Sequence, residues 1–323
     1  MPSAEDIARA YYLRQATIGR RVADRVQALW WSLELADLTG SWNASVGPAV
    51  LATVTAGQLA AAAPADAYVR AVVAASGADP DPAGTLRTAA FAGIAADGRD
   101  LDTLLYLPVI TTKQGIGAGL ADQDAMTAGL QQLLTMATSE VADAGRAAAG
   151  TSITADRAVR GYIRVLSPPS CARCVVLAGK EYGWNKGFQR HPHCDCVHMP
   201  VTRYRHGHPA MDPGDYFRSL SRAEQDRVFT IAGARAIRDG ADIGQVVNAR
   251  RGMYTITSGS GGRRLLATHE GMTKRGLAYK RLKRLEAEGR APARARLMPE
   301  AIYQLASDRD EAIRLLHRYG YLY

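Results

Sequence analysis

Apolar residues recur along the first part of the chain at helical spacing. Within residues 5–37, Leu13, Ile18, Val22, Val26, Leu29 and Leu33 return every three to five positions, with Arg14, Arg20, Arg21 and Arg25 between them. A repeat near 3.6 residues predicts one long amphipathic helix with its apolar stripe packed on neighbours. Trp30, Trp31 and Trp42 gather near its end. A second helix is expected over about 46–76, broken or kinked at Pro64, where a backbone donor is lost and the ring crowds the preceding turn. Residues 77–84 (GADPDPAG) read as a turn-rich linker. Helical patterning resumes at 85–95 and about 101–107. It then runs from about 122 to 148 through Met126, Leu130, Leu133, Leu134, Met136 and Val141, with Asp122 or Asp124 as N-cap.

The pattern changes near residue 150. The stretch 161–166 (GYIRVL) alternates and is rich in β-branched and aromatic residues, as a short strand is, and 197–201 suits a second. Residues 212–215 (DPGD) form a turn. Ser221 with Glu224 three positions on is a capping-box signature for a helix that ends at Gly240. A short helix follows at 242–249, residues 257–264 (TSGSGGRR) read as a flexible loop, and 299–316 as two short helices. The expected fold is mainly α with a small α+β zinc-knuckle core. Its expected parts are an N-terminal helical domain (1–150), a central Cys/His knuckle (151–212) and a basic helical C-terminal region (213–323).

Composition narrows the class. Of 323 residues, 47% are hydrophobic, ordinary for a globular protein, and aromatics are few, which favours close-packed helices over a β-sandwich. No run of about 18 apolar residues is seen and the N-terminus lacks a signal-peptide pattern, so neither a membrane span nor secretion is expected. Charge divides the chain. Residues 1–150 hold ten Lys+Arg against fifteen Asp+Glu (net −5), and residues 151–323 hold thirty against sixteen (net +14). Such asymmetry implies a polyanion partner for the basic half and a protein partner for the acidic one.

All four cysteines lie within 26 residues. Cys171 and Cys174 form a C-x2-C pair, and Cys194 and Cys196 form a C-x-C pair flanked by His191, His193 and His198. A C-x2-C turn brings two thiolates to one tetrahedral centre, and a site closed by four thiolates, or by three and an imidazole, is structural. Candidate ligands for one Zn2+ are therefore Cys171, Cys174, Cys194 and Cys196, with His191 or His193 able to replace one of the second pair. Reduced buried thiols and a redox pair are the other readings of this spacing.

The stretch Gly161-Tyr-Ile-Arg-Val-Leu-Ser-Pro-Pro-Ser-Cys-Ala-Arg-Cys174, then Leu177-Ala-Gly179, Phe188, Arg190-His-Pro-His-Cys-Asp-Cys196 and Pro200, resembles the minor head proteins of tailed phages similar to phage Mu protein F, the actinobacteriophage versions above all. Asp195 stands where that family more often has Arg. Looser likeness extends over the first helix to Trp30, Ser41-Trp42, Asp143-Ala-Gly-Arg146 and Gln225–Gly240. The resemblance implies a minor capsid protein of the virion, made in the host cytoplasm and held in the capsid interior near the portal. Its partners would be the portal protein, the major capsid or scaffold protein and packaged double-stranded DNA. Members of the actinophage group are often labelled capsid maturation proteases.

The residues give that label no motif. There is no H-E-x-x-H, and His269-Glu270 lacks a second His; there is no G-x-S-x-G. Ser258 and Ser260 sit in a glycine-rich stretch that reads as linker, and His206 and His208 follow the knuckle as surface histidines or, in the competing reading, as catalytic groups or extra metal ligands; Ser–His or Ser–Lys partners meet in space and not in sequence. DNA contact rests on charge. Residues 274–296 hold nine Lys/Arg against two Glu, with Lys274, Arg275, Lys280, Arg281, Lys283 and Arg284 as candidates for sequence-neutral phosphate binding. The competing reading is a solvated helix face. A freely acting DNA-binding regulator is a third, weaker class, since no reader motif is present.

Overall fold

The computed structural model describes residues 2–166, 170–184, 196–203, 212–258, 262–288 and 295–323. It is 65% helical with small antiparallel sheets, as the mainly-α expectation holds. The chain divides into two compact units: Met1–Pro168 with Gly179–Ala210, and Pro169–Ala178 with Met211–Tyr323.

The first unit is built on helices α1 (Ala4–Trp30), α2 (Leu38–Ser41), α3 (Gly47–Ala62), α4 (Ala65–Ala75), α5 (Leu101–Gly117) and α6 (Asp122–Ala155). Ser3 opens α1 with a capping box to Asp6. The break at Pro64 falls between α3 and α4, where the sequence puts it. The stretch Leu35–Ala75 is long and apolar enough to pass for a membrane span by length and composition, yet its Val50, Val54, Ala61, Val69 and Val72 are buried core residues. Helix α6 is the centre of the bundle and is packed by α1, α3, α4 and α5. Small residues allow that closeness. A Cβ on Gly129 would overlap Thr112 Oγ1 and stand 2.7 Å from Trp30. Trp30 is fully buried, donates from Nε1 to the Met126 carbonyl at 3.0 Å and meets Trp42 edge-on.

Residues 85–95 differ from the expected helix. Only Thr88–Phe91 turns, as a 3-10 segment. Side chains from the bundle hold the rest: Gln58 bonds Gly93 N and the Ile94 carbonyl, and Glu140 accepts from Ala96 N at 2.7 Å.

Against this bundle lies a three-stranded antiparallel sheet in the order β2-β1-β3, made by β1 (Val159–Val165), β2 (Glu181–Gly183) and β3 (Val197–Thr202). Both strands expected from the sequence, β1 and β3, are there. In the register, Tyr162 faces Pro200, Ile163 faces Met199 and Arg164 faces His198. Gly161 lacks a Cβ where one would overlap the Tyr182 carbonyl of β2. Tyr68 of α4 ties helix to sheet by donating to the His198 carbonyl at 2.8 Å, and its ring stacks on Tyr11 of α1 at 4.0 Å.

The second unit contains α7 (Ala172–Leu177), α8 (Pro213–Ser219), α9 (Arg222–Phe229), α10 (Ile231–Arg238), α11 (Ile243–Ala249), α12 (Leu277–Ala287), α13 (Pro299–Leu305) and α14 (Arg309–Arg318). The Ser221–Glu224 capping box is present. The helix expected from it to Gly240 is instead split at Thr230, which takes φ 67° and caps a fresh helix by accepting from Gly233 N. The expected basic helical region also contains strands that the sequence reading did not place. Strands β4 (Met253–Ser258), β5 (Arg263–Thr268) and β6 (Arg296–Leu297) form a second antiparallel sheet, so both ends of the stretch read as a flexible loop, 257–258 and 263–264, are hairpin strand. Leu265, Leu282, Leu297, Ile302, Leu316 and Tyr321 fill the core beside it.

Candidate functional site: the cysteine motif and the basic surface

The Cys171–Cys174 turn belongs to the second unit. Cys171 is the N-cap of α7, and its Sγ accepts a hydrogen bond from Cys174 N at 3.4 Å. That bond holds the exposed first sulfur over the turn while the second cysteine is buried. The turn is anchored from α8: Tyr216 Oη accepts from Ser170 N at 3.0 Å and lies 3.3 Å from the Ser170 carbonyl.

Cys196 belongs to the first unit, where it leads into β3 and is buried. Arg164 of β1, itself buried, donates to its Sγ from Nε at 3.3 Å and from Nη2 at 3.0 Å. Both donors belong to one charged guanidinium, which makes these hydrogen bonds of the stronger, charge-assisted kind. The neighbouring cross-strand residue, His198, is buried and stacks on Tyr162 at 4.5 Å, which stacks in turn on Tyr182 at 5.3 Å. Sequence reasoning missed Arg164, although an Arg inside an otherwise apolar strand is itself a sign of a buried partner.

Cys194, His191 and His193 lie outside the described residues, as do His206, His208 and Ser260. Among the described residues, no group of three or more His, Cys, Asp or Glu is placed to hold a metal ion. The described cysteines fit a thiolate-binding metal in part. The C-x2-C turn has the sulfur-directed amide that suits a metal ligand, while the Cys196 sulfur is already occupied by two hydrogen bonds from a guanidinium. Ser258 ends β4. His269 stacks on Tyr254 at 4.1 Å, and Glu270 of the same pair lies 3.6 Å from Arg251.

The basic run 274–296 is dispersed by the fold. Lys274, Arg275 and Lys280 are exposed. Lys283 and Arg284 are exposed but paired along α12, with Glu286 at 2.6 Å and Glu288 at 3.0 Å. Two members depart from the expectation of free, exposed side chains. Arg281 is half-buried and its Nη1 donates to the carbonyls of His317, at 2.7 Å, and Leu322, so it fastens α12 to the C-terminal segment. Arg296 is 1% exposed. It donates to the carbonyls of Tyr319 and Glu270 at 2.9 Å each, to Gln245 Oε1 at 3.1 Å and to the Gly320 carbonyl at 3.4 Å, and lies 4.2 Å over the Tyr321 ring. Arg290 and Arg294 lie outside the described residues.

The packing also adds cations that the linear run does not contain. Arg314, His317 and Arg318 of α14 line one cleft with Arg281 and Arg284 of α12 and with Glu288, its C-cap. Their only sequence signal is the Arg314–Arg318 spacing of one helical turn.

A family model described as VG15 protein matches residues 1–223, and the chain belongs to that family, which points to a phage-encoded (viral gene) protein. No curated protein and no solved structure matches it.

Proposed function

We propose that this chain is a minor head protein of a tailed phage, of the Mu F-like kind, held inside the capsid near the portal and acting in head assembly, DNA packaging or ejection. The observation that carries the reading is the VG15 match over residues 1–223, which contains the whole C-x2-C and H-P-H-C-D-C motif that resembles those head proteins. Its proposed partners are the portal protein, the major capsid or scaffold protein, and packaged DNA bound without sequence preference. Exposed Lys274, Arg275 and Lys280 support the last of these through counterion release.

Mass spectrometry of purified virions tests the role. A minor head protein is present at low copy and full length. Absence of the chain, or its recovery only as fragments beside trimmed capsid or scaffold protein, replaces the reading with that of a capsid maturation protease. Alanine at His206, His208, Ser258 or Ser260 then decides the point, because a structural protein matures heads normally with each of them.

The same reading includes one structural zinc held by Cys171 and Cys174 with partners from Cys194, Cys196, His191 and His193. A closed site of this kind stabilises a small fold by about 10–16 kcal/mol. Freshly purified, reduced protein should contain about one zinc per chain, lost in Cys171→Ser or Cys174→Ser. Metal-free wild-type protein removes zinc from the proposal and leaves the head-protein reading standing.

A further inference from the structure

The cleft between α12 and α14 has a composition that the proposed function does not by itself require. It is an open groove of about 590 Å³ lined by Arg281, Arg284, Glu288, Arg314, His317 and Arg318, with Leu285 as its one apolar residue. Four guanidinium groups face one carboxylate, and that carboxylate is engaged by Arg284 at 3.0 Å. Arg314 is exposed at the cleft. Three acids lie near it: Asp310 one turn earlier on α14, and Asp308 and Glu311, whose carboxylates feel its charge but are also held by local hydrogen bonds. Asp308 caps the helix by accepting from Glu311 N at 2.7 Å, and Glu311 accepts from Ser307 Oγ at 2.6 Å.

Two features fix the geometry of this cleft. Arg281 bonds the His317 carbonyl at 2.7 Å, so the two helices are held at one separation. Arg318 stands beside the Tyr319 ring, 5.8 Å from its centroid, which limits the directions its guanidinium can take. Guanidinium groups fixed in place match the paired oxygens of a phosphate better than mobile ammonium groups do. The lining has no Phe, Tyr or Trp ring on which a base can stack and no amide to read a base edge. Such a site grips backbone and ignores sequence. Lys280 and Lys283, both exposed on α12, extend the positive surface along that helix.

A bland account also exists. His317 and Arg318 fall in the last turn of α14 and Arg284 in the last turn of α12, where cations offset the negative helix ends. That account explains neither Arg314, one turn earlier, nor the gathering of all four arginines on one cleft.

We propose that the α12–α14 cleft is a phosphodiester-binding site that grips nucleic-acid backbone without reading sequence. The proposal rests on the reading that this protein contacts packaged DNA and assigns that contact to a place. It makes the tertiary cleft the binding element, with the exposed Lys274 and Arg275 outside it as minor contributors.

The test uses the full-length protein and a short random duplex in a salt titration. Three proteins are compared: the parent, Arg284→Gln/Arg314→Gln in the cleft, and Lys274→Gln/Arg275→Gln outside it. Both variants lose two positive charges at exposed positions, and matching far-UV spectra and melting points confirm that they are folded. Each phosphate contact contributes roughly 0.9 to the slope of log affinity against log salt, so losing two flattens it by about 1.8 and weakens binding at 0.1 M salt by roughly 60-fold. That loss is expected in the cleft variant, with a several-fold smaller one in the control. Equal losses in both, or a loss confined to the control, overturn the cleft assignment and leave DNA contact intact. A parent that binds no duplex at low salt overturns DNA contact itself. Poly-glutamate that displaces the duplex as well, charge for charge, as a second duplex does would assign the cleft to an acidic protein partner instead.

Discussion

Replacing Arg296 should unsettle the second unit although the residue sits in a stretch that reads as surface charge. Its guanidinium is buried and shared among the carbonyls of Tyr319, Glu270 and Gly320 and the Gln245 side chain, with Tyr321 beneath it. Burial pulls its pKa below the ordinary arginine value, while nearby Tyr321 and Glu270 act the other way. Arg296→Met removes the charge and fills part of the volume, but leaves three carbonyl oxygens short of a donor. Each buried acceptor left unsatisfied costs about 1–3 kcal/mol, and these losses are not additive because the site relaxes. Three such acceptors, less than additive, come to about 3–5 kcal/mol in all. Arg296→Lys keeps the charge but loses the planar fork that reaches separate acceptors, so it should lose about half as much.

Hydrogen exchange of the full-length protein is the suitable assay, because it resolves where stability is lost. A loss of about 3–5 kcal/mol lowers protection roughly 10²- to 10³-fold or more, at about 1.4 kcal/mol per decade. The fall should appear in peptides covering β5 and α14, which the guanidinium joins through the β6 register and the 319–320 carbonyls. Protection in Arg296→Met within threefold of the parent across both peptides would show that water or rearrangement satisfies those carbonyls and that the network is dispensable.

Two other outcomes follow from the first unit. Gly129→Ala drives a methyl group into Thr112 and Trp30 where α5 and α1 cross α6, and should destabilise by about 1–3 kcal/mol in chemical denaturation; a change under about 0.5 kcal/mol would mean the crossing has slack. Burial pushes the Tyr11 phenol from 10.0 up to about 12, so the native state keeps a proton that the unfolded chain releases; stability is intact below pH 10 and falls by about 2–3 kcal/mol as pH rises to 12. Tyr11→Phe should lessen that alkaline decline, and an unchanged slope of unfolding midpoint against pH would refute the assignment.

The helices were legible because their signals are local. The apolar stripe of α1, the proline between α3 and α4, and the Ser221–Glu224 box each act within a turn or two of chain. Strands β1 and β3 were readable for the same reason, since alternation shows within six residues. The β4–β5 hairpin was not. Its tip is rich in Gly and Ser, which suits a hairpin turn as well as a linker, and the Thr-Ile-Thr alternation before it is only three residues long. Residues 85–95 carry enough Ala to suggest a helix, but Gln58 and Asp66, tens of residues away, capture their backbone groups. The partner of Cys196 lay equally out of sight. Arg164 and Cys196 are 32 positions apart and meet because β1 pairs with β3 in a register that only the folded sheet defines.

The basic stretch shows why a count of charges is a poor map of an electrostatic surface. Residues 274–296 carry nine cations in sequence, and a run of that density implies a uniform face. Folding gives its members different work. Arg296 holds carbonyls together in the core, Arg281 fastens α12 to the segment after α14, and Lys283 and Arg284 have glutamate partners within hydrogen-bonding reach. An exposed pair of that sort contributes little to stability, so Lys283 and Arg284 remain available to a phosphate that competes better than a carboxylate. Replacing Arg281, in contrast, cuts a tether as well as a charge. A block substitution of Lys280, Arg281, Lys283 and Arg284 would therefore mix a folding defect with a binding defect. Separating the two requires the exposed positions alone, together with Arg314, which lies outside the run in sequence and beside it in space.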